Sequence, residues 1–246
     1  MQLLQDMITL VTNYSSLLLE GIRNTLLISI FGTIVGILFG LLLAVMRNQE
    51  VHYKDSGATV VFKKIIRFIS VVYIDVVRGT PMLVQAAVFF YGFAYAGINL
   101  NPLVAGFVVV SFNTAAYISE IIRSGINGIN EGQIEAARSV GLSHFEAMRF
   151  IVLPQALRNT VPALMNELIV NVKDTSVLSI IGVTELFYMT KAAASETYLT
   201  FPAYVLTAII YLILTKTLTI LFSYILRRSE GQATSMPQSQ TVPEVM

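Results

Sequence analysis

Glu167, Asn171 and Asp174 fall on one face of a helix. With Glu167 at zero, 3.6 residues per turn puts Asn171 at about +40° and Asp174 at about −20°. Asn113, Tyr117 and Glu120 follow an i, i+4, i+7 rhythm and form a second polar stripe. Carboxylates and amides arranged in this way can hold an ammonium group or relay a proton or cation. Lys173 points roughly 120° away from the first face, so adjacency alone does not pair it with Asp174. A plainer alternative is structural: Lys173 and Asp174 pair across helices, and Glu120 holds Arg123 one turn on. Other chemistries are absent. There is no cysteine, which removes disulfides, thiolate metal sites and cysteine nucleophiles. His52 and His144 lack His-Glu-x-x-His spacing and read as solvated loop residues. No Gly-x-x-x-x-Gly-Lys-Ser/Thr loop occurs to cradle phosphate. No catalytic or metal-ligating set is therefore expected.

The elements that carry these stripes are apolar. The 246 residues are 55% hydrophobic and 13% charged, where soluble domains run at about 45–50% and about 25%. Net charge is +1, which gives no surplus for nucleic acid. A membrane-crossing helix needs roughly 20 apolar residues, and five runs qualify: Thr25 to Met46, Pro81 to Leu100, Pro102 to Ile122, Pro162 to about Ile181, and Pro202 to Leu226. Prolines 81, 102, 162 and 202 stand near the starts of the last four, where a missing N–H costs least. The expected fold is an all-α integral membrane protein of five transmembrane helices. Ile65 to Val77 is expected to form an interfacial elbow helix.

Lys and Arg orient the chain. The segments before the second run, between the third and fourth, and after the fifth hold 12 of the 16 Lys and Arg, against Arg23 and Lys191 opposite. The N-terminus is thus expected outside and the C-terminus in the cytoplasm. A transmembrane domain over residues 1–228 would be followed by a disordered polar tail over 229–246. Nothing suggests a cleaved signal peptide. Five spans cannot be halved into the paired repeats of many secondary transporters, so a pathway more naturally forms between two chains. Gly32, Gly36 and Gly40 recur every four residues and mark a face for close packing, within the chain or between copies.

The loop from Gly125 to Asn159 is too patterned for a connector. Gln133 to Met148 reads as a short amphipathic helix pair, with Ile134, Ala137, Val140 and Phe145 among charges. Within it stand Glu135-Ala136-Ala137, three residues, Gly141, nine residues, then Ile151-Val152-Leu153-Pro154. This skeleton resembles the EAA loop of ABC importer permeases at every position. Ala136 and Ala137 make a thin helical face, and Gly141 permits a sharp exit. Three further stretches are similar to the polar amino acid branch of that family: Arg78-Gly79-Thr80-Pro81-Met82-Leu83-Val84-Gln85, Asn113-Thr114-Ala115-Ala116-Tyr117, and Lys173-Asp174-Thr175-Ser176. Met82 is a mild departure from the usual Leu.

The resemblance implies a type I permease in a bacterial-type cytoplasmic (inner) membrane. Its partners would be ATP-binding cassette subunits, which hold the ATP and Mg, a second permease chain, identical or related, and an extracytoplasmic amino-acid-binding protein. Glu135, Ala136, Ala137, Gly141, Leu153 and Pro154 would couple to the ATPase. Leu83, Gln85, Asn113, Tyr117, Glu120, Glu167, Asn171, Lys173, Asp174 and Ser176 are the expected pathway residues. Three carboxylates and one ammonium would leave that pathway net negative, suiting the α-ammonium of a zwitterionic or cationic polar amino acid, those with a cationic or amide side chain included. An ion-coupled carrier using Glu120, Glu167 and Asp174 as a relay is the alternative, and a membrane scaffold without transport is a third.

Overall fold

The computed structural model describes residues 1–49 and 55–233. His52, Lys54, part of the Asn48–Thr59 insertion and residues 234–246 of the expected tail lie outside the described residues. The described residues contain helices and turns and no strand. Ten α-helices follow in order: α1 (Gln2–Asn13), α2 (Ser15–Arg47), α3 (Gly57–Arg78), α4 (Met82–Tyr95), α5 (Pro102–Asn127), α6 (Glu131–Ser139), α7 (His144–Ala147), α8 (Leu153–Asp174), α9 (Leu186–Thr197) and α10 (Thr200–Ala233). A π-helical turn, Met148–Val152, joins α7 to α8, and a 3₁₀ segment, Thr175–Ile181, follows α8. The last residues of α10 occupy the start of the segment expected as a tail.

Among the described residues, three helices are long and apolar enough to cross a membrane: α2, α5 and α10 over Thr200–Arg228. The pair His144–Ile181 and Leu186–Thr197, bent by 53°, makes a fourth if it is one span. The second apolar run, expected to cross alone, forms only the 14 residues of α4. That is about 21 Å at 1.5 Å per residue, short of the roughly 30 Å hydrocarbon core. The expected elbow is part of the longer α3, which turns Ser70 and Ile74 inward and leaves Phe62 and Phe68 exposed.

Local chemistry explains most boundaries. Asn101 accepts from the Leu103 amide at 2.8 Å and Pro102 opens α5, a side-chain cap followed by a residue with no N–H to satisfy. Pro81 caps α4. Pro162, expected at a helix start, lies inside α8, which begins nine residues earlier with Pro154 in its first turn.

The glycine ridge packs within the chain. A Cβ on Gly32, Gly36 or Gly40 would fall 2.4, 2.7 or 2.7 Å from side-chain carbons of Val110, Thr114 and Ile118, so α2 and α5 approach where no larger residue fits. Ile28, Val110, Leu178 and Val183 build the core at one end of this pair. Ala44, Ile118 and Ile122 build it at the other, from which the 125–159 loop projects. We call the latter the loop end. Along α10, Leu212, Ile213, Ile220 and Leu221 stay exposed, a surface for lipid or a neighbouring subunit.

Candidate functional site

Near the loop end, Glu120 of α5 gathers three guanidinium groups. Arg123 donates from Nε at 3.1 Å and Nη2 at 2.8 Å, as the i, i+3 spacing anticipated. Arg47, from the end of α2, donates to the other carboxylate oxygen. Arg78, from the end of α3, stands 3.6 Å away with its guanidinium over the Tyr117 ring, 5.6 Å from the centroid. The carboxylate is 14% exposed, whereas Arg78 is 43% exposed. One acid thus ties three helix ends together and remains outnumbered by its partners. The sequence tally of three carboxylates against one ammonium left out Arg47, Arg78 and Arg123, which all stand at Glu120.

A second constellation repairs the break between α3 and α4. The Gly79-Thr80-Pro81 turn strands carbonyls at the end of α3. Gln85 turns back, and its Nε2 donates to Val77 O at 2.7 Å and Thr80 O at 2.9 Å. Its Oε1 accepts from Asn113 Nδ2 at 3.0 Å. Gln85 and Asn113 therefore brace the kink against α5. Asn171 is also committed. Buried among α2, α5 and α8, its amide donates to Thr33 Oγ1 at 2.8 Å and Thr114 Oγ1 at 3.0 Å. The expected Glu167–Asn171–Asp174 face is split: its middle member locks helices, while its flanks remain accessible.

Glu167 is half-buried and has no ion pair or hydrogen bond among the described residues. Lys173 and Asp174 are exposed and form no ion pair with each other or across helices, so the structural pairing anticipated for them is absent among the described residues. Ser176 donates to Lys173 O at 2.7 Å. Together with Phe187, Tyr204, Thr207 and Tyr211, Lys173 and Ser176 line a cavity of about 300 Å³, in which Phe187 and Tyr204 stack at 5.6 Å. Leu83 and Tyr117 are exposed.

Sequence reasoning missed Glu185. Fully buried, it accepts from the amides of Phe187 at 2.9 Å and Tyr188 at 2.7 Å and from the Tyr211 hydroxyl at 2.8 Å. An acid just before an apolar run was the available signal, since such a residue caps a helix. Nearby, Asn24 of α2 donates to Thr184 O at 2.7 Å. These contacts anchor α9 to α2 and α10.

The EAA loop folds as α6, a turn, α7 and the π segment. Asn130 caps α6 through the Gly132 amide at 2.8 Å. Ala137 faces inward, while Glu135 and Ala136 are exposed. Gly141 has φ +90°, the left-handed region where a Cβ is strained. Ser143 and Glu146 form a reciprocal cap on α7. The Ser143 hydroxyl and backbone N–H hold the Glu146 carboxyl below the usual carboxylate range. Gln155 of α8 bridges to Gln133 of α6 at 2.6 Å. Leu153 is half-buried and Pro154 exposed. Val140 and Phe145, named among the charges of the amphipathic pair, point outward at 78% and 68% exposure, with Phe150 beside them at 64%. The loop therefore presents an apolar protrusion rather than a solvated surface.

Residues 36–231 match the sequence profile of the binding-protein-dependent transport system inner membrane components. The chain belongs to this family. The match begins within α2 and ends within α10, so this permease carries both polar stripes and the EAA loop inside the matched region. It is similar to the probable glutamine ABC transporter permease protein GlnM of Bacillus subtilis strain 168, at 34% identity over 215 residues, covering 87% of this chain and 94% of that protein. It is similar at 34% identity over 216 residues to the glutamine transport system permease protein GlnP of Escherichia coli K12, covering 87% and 91%. Among solved structures, a chain of an amino acid ABC transporter with histidines matches the permease with a TM-score of 0.80 at 36% identity, covering 89% and 96%. A chain of the inward-facing MetNI methionine ABC transporter shares the fold, with a TM-score of 0.69 at 20% identity over 86% and 95%.

Proposed function

We propose that this permease chain moves a neutral, zwitterionic amino acid with a polar side chain, glutamine foremost, into the cytoplasm. It works by alternating access, driven by a separate ATPase. The observation that carries the substrate class is the charge balance. Glu120 is neutralised and outnumbered by Arg47, Arg78 and Arg123, so the pathway has no negative surplus to favour a cation. Glu167 and Asp174 offer acceptors for the α-ammonium, and Lys173 and Ser176 offer donors for the carboxylate. The glutamine named for two relatives agrees with this class.

In this reading the chain crosses a bacterial cytoplasmic membrane five times, with the N-terminus outside and the C-terminus inside. Helices α2, α5, α8 and α10 make four crossings, and α4 with the last turns of α3 makes the other. Alternating access places the substrate between two permease chains. The protruding Val140, Phe145 and Phe150, together with Glu135, Ala136 and Gly141, dock on the ATPase, while Leu153 and Pro154 pass its movement into α8. An extracytoplasmic binding protein delivers substrate. An ion-driven carrier has no use for such an apolar protrusion. Glu167→Gln keeps the shape and removes the charge, and ATP-driven uptake of labelled glutamine is expected to show a raised KM. If the variant leaves uptake of glutamine, histidine, lysine and arginine all unchanged, the assignment of Glu167 is wrong.

A further inference from the structure

At the loop end, two adjoining cavities of about 530 and 570 Å³ lie between the ends of α2 and α5, the first half of α3, and α7. They share Asn48, Gln49, Ile126, His144 and Met148, so they form one continuous groove. Its chemistry is divided. One half is an apolar slot walled by Leu41, Val45, Ile122 and Leu153, open at Val45 and at Phe145. The other half is polar and basic, with Arg47 and Arg67 on its wall and Glu131 as its acid. Lys63 and Arg149 stand on the slot's rim.

Several of these charges are already used. Arg47 is held by Glu120, and Lys63 is bonded to Asp55 at 2.8 Å. Arg67 and Arg149 form no ion pair among the described residues, and both are exposed. Arg67 thus stands on the polar half of the groove and Arg149 on the rim of its apolar slot. A guanidinium binds phosphate oxygens in a bidentate way, and the slot fits an acyl chain. Basic pockets between helices at the membrane face are suited to anionic headgroups. Neither half suits a free anion, which would leave the slot empty, or a neutral hydrocarbon, which would leave the arginines unmatched.

We infer that this groove binds one anionic glycerophospholipid, its headgroup drawn to the basic side chains of the groove and an acyl chain in the slot behind α7. The orientation proposed above enters only in assigning the lipid to the cytoplasmic leaflet. A lipid seated there packs against Phe145, Met148 and Leu153, so it touches α7 and the start of α8.

The test is native mass spectrometry of the full chain in detergent, titrated with dioleoylphosphatidylglycerol or dioleoylphosphatidylcholine, with inorganic phosphate as competitor. Attraction at two arginines favours phosphatidylglycerol on the order of 30-fold. Arg67→Gln with Arg149→Gln should bring phosphatidylglycerol down to the phosphatidylcholine level without lowering the melting temperature. Val45→Trp fills the slot and should weaken both lipids. Equal retention of the two lipids by the wild type would overturn the proposal. So would undiminished phosphatidylglycerol binding by the double variant, displacement by millimolar phosphate, or loss of the lipid when the ATPase is bound, which would make the groove part of the ATPase contact. None of these readouts uses transport, so the proposal can fail while the transport reading stands.

Discussion

Replacing Gly36 with alanine adds one methyl group where α2 and α5 pack closely. The new Cβ would stand 2.7 Å from Thr114 Cγ2 and 2.8 Å from Thr114 Cβ. Ordinary carbon contacts begin near about 3.5 Å, so the helices must part by roughly 0.7 Å or Thr114 must leave its position. Overpacking of this kind costs about 1–3 kcal/mol. Thr114 also bonds Asn171, which reaches Thr33 on α2, and stretching a buried hydrogen bond adds about 1 kcal/mol. Against this, alanine is the better helix former by about 1 kcal/mol. The sum is a net loss of about 1–3 kcal/mol. Gly92 in α4 is the control, since its added Cβ meets nothing within 4 Å. There the helix gain stands alone, and Gly92→Ala should stabilise by about 0.5–1 kcal/mol. Unfolding of the purified full-length variants in one detergent, by heat or by denaturing detergent, measures both. Opposite signs are expected. A Gly36→Ala chain as stable as the wild type would mean that the α2–α5 contact is looser than its geometry requires.

Gly141→Asp forces a side chain into a backbone at φ +90° and a charge beside the apolar protrusion. Substrate-stimulated ATP hydrolysis by the assembled transporter should be lost, while the chain still inserts in the membrane. Because the Glu146 carboxyl is held below its ordinary range in the folded loop, its contribution is present above that range and disappears as pH falls through it. Amide exchange at Ser143–Ala147, corrected for intrinsic rate, should therefore rise on acidification, and Glu146→Ala should show the raised exchange already at neutral pH. Gln85→Leu removes the donors that close the α3–α4 break and leaves Asn113 unpaired. A loss of about 2–4 kcal/mol is expected from the stranded groups, with faster exchange in the first turn of α4 as the local readout.

How far the sequence carries depends on the range of each interaction. The EAA skeleton was legible because its spacing is local, and so were the Pro102 and Asn101 start of α5 and the break at Gly79-Thr80-Pro81. The common face of Glu167, Asn171 and Asp174 was correct in angle. A helical wheel names no neighbours, however, and Thr33 and Thr114 come from two other helices to claim Asn171. Glu120 shows the same limit. Arg123 lies one turn away and was anticipated, whereas Arg47 is 73 residues distant and converges only because the glycine ridge draws α2 onto α5. The arginines that meet Glu120 were left out of the charge tally for that reason. Val140 and Phe145 show a different limit: apolar residues among charges fit a buried face and a surface that meets another protein equally well, and only their exposure tells the two apart.

The central claim is that this permease imports a zwitterionic polar amino acid through a charge-balanced route, driven by ATP hydrolysed elsewhere. The measurement that tests it most directly is uptake into vesicles reconstituted with the permease, its ATPase and its binding protein, comparing labelled glutamine, arginine and glutamate. Glutamine accumulation that requires ATP, survives collapse of the proton gradient and exceeds that of either charged amino acid is the predicted result. Accumulation that persists without ATP and follows the proton gradient would contradict it.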